Sequence, residues 1–457
     1  MAEQSTRLQV SGHRFLARRM QHALVRADVR MIDDPLRAQA LSLTGGTVAA
    51  LIAVAVCAVL ALLGPAGGIG GAPIVVVPQT GALYVTVEDT LHPVPNLASA
   101  RLVTGSAGDP KPVSQRAVDS APRGPALGIP GAPAHLAPPL SPEESDWTVC
   151  DDRRGDTIVG VGTPEGPDAA PGRHALVAVR GNPAATYLLH DGWRSRVDLR
   201  HPAVVRALEL DGFVPQMVSQ LLLAAVPEAA PIAPPQIPAV GTPGPPALGG
   251  LPVGAVFAVD VSVGRQDRYV VLTDGVQRIG QVAADLIRYT DARVGDRMPV
   301  LAPDIVGPLP IRTSLAVGTF PDRGGIEPAP VLCARWHADP AVGTSHSTLM
   351  FADALPSAWT SRRLAQADGD GPAVDAVAIP SGRSVDVRSV GLTGAGIGSR
   401  FLVTDSGMAF GIGDDDAAQR LGLSGPAVPA PWPVLSALPR GPELNRSAAS
   451  VARDGAP

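Results

Sequence analysis

From Leu41 to Leu63 the chain carries no charged side chain, and from Val48 to Leu63 every residue is apolar. A helix over the longer stretch rises roughly 34 Å, enough to cross a hydrocarbon core of about 30 Å. A cleaved signal peptide has a shorter apolar core, of ~7–15 residues, and a shorter polar lead. The run therefore reads as an uncleaved anchor, with a buried soluble helix as the other reading. Arg7, Arg14, Arg18, Arg19, Arg26, Arg30 and Arg37 precede it, and the next basic residue is Arg101. The positive-inside rule then predicts a cytoplasmic N-terminus and an exported remainder.

The three cysteines follow that division. Cys57 falls within the apolar run, whereas Cys150 and Cys333 fall in the exported part, where disulfides persist. One bond between them is expected, with two unrelated buried thiols as the alternative. Closing so long a loop stabilises by roughly 5 kcal/mol in the chain-entropy model, less any strain. Ahead of the span, Leu16, Met20, Ala23, Leu24, Ala27 and Met31 recur at helical spacing among arginines, and Pro35 disfavours helix at Asp34. Such a basic amphipathic helix lies on anionic lipid or docks on a partner, and the pattern leaves both open.

The exported part repeats itself. "RYVVLTDGVQRIG" begins at Arg268 and "RFLVTDSGMAFGIG" at Arg400; weaker copies start at Ala82 and Ala185. Each copy sets an aromatic (Tyr84, Tyr187, Tyr269 or Phe401) in a short apolar strand, followed by a turn, a second strand and a segment of helical spacing. The unit reads as a β-hairpin followed by a helix that supplies the burial a lone hairpin lacks. Asp191-Gly192 and Asp274-Gly275 are favourable turn pairs. Unequal spacing argues against a regular solenoid. Between copies, "RHALVAVRG" and "AVFAVDVSV" alternate as strands of a central domain would, with "PVLCARW" as a further strand. The Pro-rich stretch from Pro227 to Pro252 reads as a mobile or extended linker, and the one near the end as a surface strap. "PRGPALGIPGAP" from Pro122 and "PRGPEL" from Pro439 resemble one another.

Chemistry-bearing motifs are sparse. Lys111 is the only lysine, and it stands between two prolines in "GDPKPV", where no phosphate-binding loop can open a helix. The net charge of -5 implies no nucleic-acid footprint. "GDDDA" (Gly413 to Ala417) lacks the alternating ligands of a calcium loop and suits a helix start. "CDDRRGD" after Cys150 reads as a solvated, self-paired loop. His346 in "GTSHST" has no nucleophile elbow around it, and His92 reads as a turn residue. "GLTGAGIGSRF" precedes a strand, which disfavours a phosphate role. No catalytic, cofactor or metal residue is expected.

In order along the chain, "GHRFLARRMQHALVRADVRM", "DDPLRAQ", "APIVVVPQTGALYV", "LHPVPNLASARLVTG", "PRGPALGIPGAP" and "PWPVLSALPRGPEL" resemble the EccB family of type VII (ESX) secretion components. The likeness covers essentially the whole chain. It implies a structural subunit of an inner-membrane complex with EccC, EccD and EccE, a periplasmic part that self-associates and meets the mycosin protease, and repeats similar to cell-wall-binding modules, hence a peptidoglycan contact. Family members are also credited with ATP hydrolysis, so an ATP-hydrolysing component is one alternative and a free-standing cell-wall-binding envelope protein another. The expected fold is α+β: a single N-terminal transmembrane helix plus an elongated periplasmic region of four β-hairpin/helix repeats around a central β-rich domain. The expected boundaries are arm 1–40, span 41–63, repeat 1 at 64–120, repeat 2 at 184–226, repeat 3 at 253–300 and repeat 4 at 391–424. The central domain takes 121–183 and 301–390, the linker 227–252 and the tail 425–457.

Overall fold

The structure, a computed structural model, describes residues 6–27, 35–62, 68–162, 172–262, 264–290, 298–339, 342–357, 359–396 and 398–454. Two compact units result, Met1–Gly68 and Ile69–Pro457. In the first, a helix runs Arg7–Arg26, opened by a capping box between Thr6 and Gln9 and closed by Ala27 in the left-handed conformation. Leu8, Phe15, Leu16, Met20 and Leu24 are exposed along it. The helix ends at Arg26, and Met31 and Asp34 lie outside the described residues. A second helix spans Pro35–Leu62 and takes Pro35 as its first residue, where a missing N–H costs nothing. Within it, Gln39–Val59 is long and apolar enough to cross a membrane, and none of its most apolar window is buried in the protein.

In the second unit each repeat forms a four-stranded sheet, in which the expected hairpin is extended on one side by a leading strand and, beyond it, a closing strand. Repeat 1 comprises Ile74–Val77, Ala82–Val87 and Thr90–Val94, the helix Leu97–Thr104, and Lys111–Pro112. Repeat 2 comprises Ala175–Val179, Asn182–His190 and Trp193–Val197, the helix Pro202–Ala207, and Gln216–Val218. Repeat 3 comprises Val256–Ser262, Arg265–Leu272 and Gly275–Ile279, the helix Gln281–Thr290, and Val300–Leu301. Repeat 4 comprises Ser384–Val390, Arg400–Thr404 and Ala409–Ile412, the helix Asp415–Leu421, and Val428–Pro431. The first three strands are antiparallel, and the last returns beside the first in parallel. "RHALVAVRG" and "AVFAVDVSV" are thus the leading strands of repeats 2 and 3, not strands of the central domain. Their alternation fits any half-buried strand and says nothing of which sheet receives them.

The recurring aromatics occupy one register position. Tyr84, Tyr187, Tyr269 and Phe401 face Val75, Val177, Phe257 and Val387 across the first two strands. All four of those partners are wholly buried. The turns vary. Glu88-Asp89 and Asp191-Gly192 all take positive φ, as two-residue hairpin turns of the mirror-image type require. In repeat 3 Leu272 pairs with Gly275, so the turn is Thr273-Asp274 and not Asp274-Gly275. Gly275 instead answers a close approach: a Cβ there would run into the Pro310 carbonyl oxygen.

That carbonyl belongs to a segment present in all four repeats. Carbonyls of Pro122, Pro227, Pro310 and Pro439 accept from the third-strand N–H of Leu91, Arg194, Val276 and Ala409, at 2.8, 2.9, 2.9 and 2.9 Å. Two residues on, the N–H groups of Gly124, Ala229, Arg312 and Gly441 donate back to the carbonyls of those same strand residues, Leu91, Arg194, Val276 and Ala409. Each strap covers the outer edge of its sheet, and its proline brings no N–H needing a partner. The Pro227–Pro252 stretch is therefore no free linker: it begins as the strap of repeat 2, and its Leu248 is buried in the core of repeat 3. The C-terminal stretch likewise supplies the fourth strand and strap of repeat 4, and Ala452–Arg453 pairs with Ala126–Leu127.

The central sheet holds six strands, in the order Thr344–Ala352, Val331–Asp339, Trp147–Asp151, Thr157–Val161, Ala376–Ala378, Arg362–Arg363. One face, with Trp147, Trp336 and Phe351, shares a core with repeats 2 and 4. Repeat 3 packs on repeat 2 and repeat 1 on repeat 4 through further cores. The other face of the central sheet holds Cys150 and Cys333, directly opposed on neighbouring strands and joined in a disulfide, with Trp359 in the same cluster. The bond closes 183 residues of sequence and is buried. Replacing either cysteine by Ser is expected to abolish the same mobility shift on non-reducing gels and to lower unfolding free energy by about 2–5 kcal/mol. Survival of the shift in either variant would contradict the pairing.

Candidate functional site

Buried charge marks the joints of the body. Asp151 was expected in a solvated loop, but its side chain is 4% exposed and lies 3.0 Å from Arg180 of repeat 2. It also accepts from the Ser219 N–H and hydroxyl and from the Thr157 hydroxyl. The remainder of "CDDRRGD" is the self-paired turn, in which Asp152 accepts from the N–H groups of Arg154 and Asp156. Burial is the largest influence on Asp151 and holds its carboxyl above the ordinary range, against the pull of Ser219 and Arg180. In repeat 4, Arg400 donates to both Asp386 oxygens, at 2.8 and 2.5 Å, and to the carbonyls of Leu423 and Gly425. The hydrogen bond to Asp386 raises Arg400 above its usual range. "GLTGAGIGSRF" is thus a lead-in that delivers Arg400 to this pair.

Repeats 1 and 4 meet through reciprocal helix ends. Arg101 of the first helix donates to the Leu421 carbonyl at the end of the fourth, at 3.0 Å. Arg420 of the fourth lies against Gly105, which caps the first. Each cation thereby faces a helix C-terminus, where the macrodipole favours it. Between repeats 2 and 3, the Arg206 guanidinium lies 4.1 Å from the ring centre of Tyr289.

The remaining motifs take structural places. Asp414 of "GDDDA" caps the fourth-repeat helix through the Ala417 N–H, and Asp415 and Asp416 fill its first turn. Lys111 lies on the closing strand of repeat 1 and opens no helix. His92 is a strand residue, not a turn residue, and its Nδ1 lies 2.9 Å from the Pro125 carbonyl of the strap. His346 faces His337 across the outer strands of the central sheet. A pairing not foreseen joins His190 Nε2 and Ser195 Oγ at 3.0 Å; both side chains are sealed from solvent, so no substrate reaches them. Among the described residues no group of three or more His, Cys, Asp or Glu is placed to hold a metal. One open cavity of about 520 Å³ lies by Glu143, Glu144 and Trp359, and another of about 620 Å³ is lined by Arg265, Arg268, Arg278 and Arg323.

One membrane-length helix, joined in sequence to a disulfide-bonded body of four hairpin–helix repeats, defines a membrane-anchored structural protein. A family model described as "Type VII secretion system ESX-1, transport TM domain B" matches residues 2–457. The ESX-3 secretion system ATPase EccB3 of Mycolicibacterium smegmatis is 36% identical over 98% of this chain and 91% of its own. The ESX-5 secretion system ATPase EccB5 of Mycobacterium marinum is 34% identical over 99% and 94%. A chain in the structure of an intact ESX-5 inner membrane complex superposes with a TM-score of 0.71 at 30% identity, over 100% of this chain and 97% of that one. A chain of the EccB3 dimer from the ESX-3 core complex gives 0.69 at 33% identity, over 83% and 100%. The chain belongs to the EccB family of type VII secretion components.

Two changes test the buried charges. Arg400→Ala strands the Asp386 carboxylate and is expected to cost about 3–5 kcal/mol in urea unfolding; an unchanged midpoint would refute that role. For Asp151, a raised folded value means that the native state holds the proton more tightly than the unfolded chain does. The stability so contributed is present below the unfolded Asp range and lost as pH rises through the folded value. Asp151→Asn removes this dependence, so the variant should gain on wild type as unfolding is followed from acid to neutral pH. A pH-independent difference would contradict the assignment.

Proposed function

We propose that this chain is a structural, non-catalytic subunit of a type VII secretion inner-membrane complex, supporting export across the cell envelope. The observation that carries this reading is a membrane-length helix joined in sequence to a body whose four repeats share one geometry and pack on one another and on a central sheet. Seven arginines before the span and none until Arg101 after it favour a cytoplasmic N-terminus and a periplasmic body. The disulfide suits that compartment. The basic helix Arg7–Arg26, apolar and exposed, would dock on the cytoplasmic parts of EccC, EccD or EccE. The body would self-associate, meet the mycosin protease and contact peptidoglycan through its repeats. The division into arm, span, repeats and split central domain rests on the sheet topology, each repeat taking in its leading strand and strap.

The names of the relatives favour a second reading, ATP hydrolysis. Lys111 on an exposed edge strand weighs against it, because a phosphate-binding lysine follows a Gly-rich turn into a helix. Native gels of mildly solubilised membranes, with mass spectrometry of the band, are expected to place the chain in a large complex with the other membrane components. Removing residues 1–34 should abolish that band while the disulfide still forms. Intact complexes from the truncated chain would overturn the docking role. ATP turnover by the purified chain, lost on a single substitution, would overturn the non-catalytic one.

A further inference from the structure

The register of the central sheet sets three side chains in one row. His337 pairs directly with His346 on the outer strand, and Trp336 pairs with Trp147 on the inner one. One step beyond Trp147, Asp146 meets His337, with Oδ1 at 2.6 Å from Nδ1. The two imidazoles lie with ring centres 5.1 Å apart and tilted by 51°. His346 is exposed and His337 half-exposed, so the row is open to solvent.

We propose that His337 and His346 chelate a first-row divalent cation, zinc in the first instance, with Asp146 as a positioning residue. An ion bound about 2.1 Å from an imidazole nitrogen sits roughly 3.2 Å from the ring centre. Two such vectors opening at a tetrahedral angle separate the ring centres by about 5.2 Å, and the observed separation is 5.1 Å. Asp146 accepts the Nδ1 proton of His337, which leaves the Nε2 lone pair free and turned away from the carboxylate. A carboxylate behind the imidazole is the usual support of a metal-binding histidine, fixing its tautomer and raising its basicity. Both strands are extended and regular here, so the ligands stand on rigid elements. Two protein ligands leave two positions to water, so the site falls below any three-ligand cluster and binds more weakly than a closed structural site. The neighbouring rows on the same face carry Arg335 on one side and Asp339 on the other. The Asp146 carboxylate behind His337 meets the ion's charge.

Titration calorimetry of the intact, untagged chain in detergent with zinc chloride tests the assignment. Saturable binding of one ion is expected, with copper(II) tighter and cobalt(II) weaker in the usual order. Asp146→Asn should weaken zinc about 10- to 100-fold, and His337→Ala or His346→Ala by more than that. His346 is exposed, so the unfolding midpoint of His346→Ala without metal should stay at the wild-type value and report intact folding. The absence of saturable zinc binding by the wild-type chain, or wild-type affinity in His346→Ala, overturns the proposal.

Discussion

A helix of six to ten residues laid on a four-stranded sheet has two flanks, and the sheet can bury only one. The other must find apolar surface elsewhere, or the repeat is no more stable than an isolated hairpin. In this chain the second flank meets another repeat. Leu102 of the first helix shares a core with Ala417, Ala418 and Leu421 of the fourth, and Val204 of the second with Val282 and Leu286 of the third. The body is therefore built from coupled pairs, and the central sheet joins one pair to the other through repeats 2 and 4. Loss of one repeat removes burial from its partner as well.

The straps solve a different problem with the same economy of residues. A sheet of four strands has an outer edge of unpaired backbone, and four such sheets would offer four templates for association. A carbonyl two residues ahead of a donating N–H is what every edge receives, and the edges of repeats 2 and 4 gain further bonds from Ile232 and Leu444. In repeats 1 and 4 the residue between them is an arginine, Arg123 or Arg440, whose guanidinium lies 6.0 or 4.6 Å from the ring centre of the repeat aromatic. Repeat 2 places Glu228 there instead, bonded at 3.0 Å to Arg194, which itself lies near Tyr187. Repeat 3 has Ile311, and Tyr269 stacks on Phe257.

Much of this was legible from the residues. The span, the disulfide partners and the four hairpin–helix units follow from charge, compartment and the recurring aromatic, because each reflects a local rule. The leading strands were misplaced because alternation gives a strand without its neighbours. The closing strands, two residues long in repeats 1 and 3, carry too little pattern to be seen. The stretch near the end reads as a strap from its sequence, but the strap that opens Pro227–Pro252 was hidden by composition: proline-rich sequence reads as linker unless the edge it covers is known. Asp151 was read as solvated because its partners Arg180 and Ser219 are distant in sequence. The row of Asp146, His337 and His346 exists only through register, which one sequence does not reveal.

The first repeat finds its helical partner in the fourth, more than three hundred residues later, and the short strand after it pairs with Ala452–Arg453. Synthesis runs the other way. Repeat 1 emerges first and waits, with one flank of its helix uncovered, until nearly the whole chain has followed. Contacts so distant in sequence form slowly, and exposed apolar surface is at risk meanwhile. Repeats 2 and 3, adjacent in the chain, close early by comparison. A chain cut short before repeat 4 thus leaves one flank of the first repeat's helix without its apolar partner.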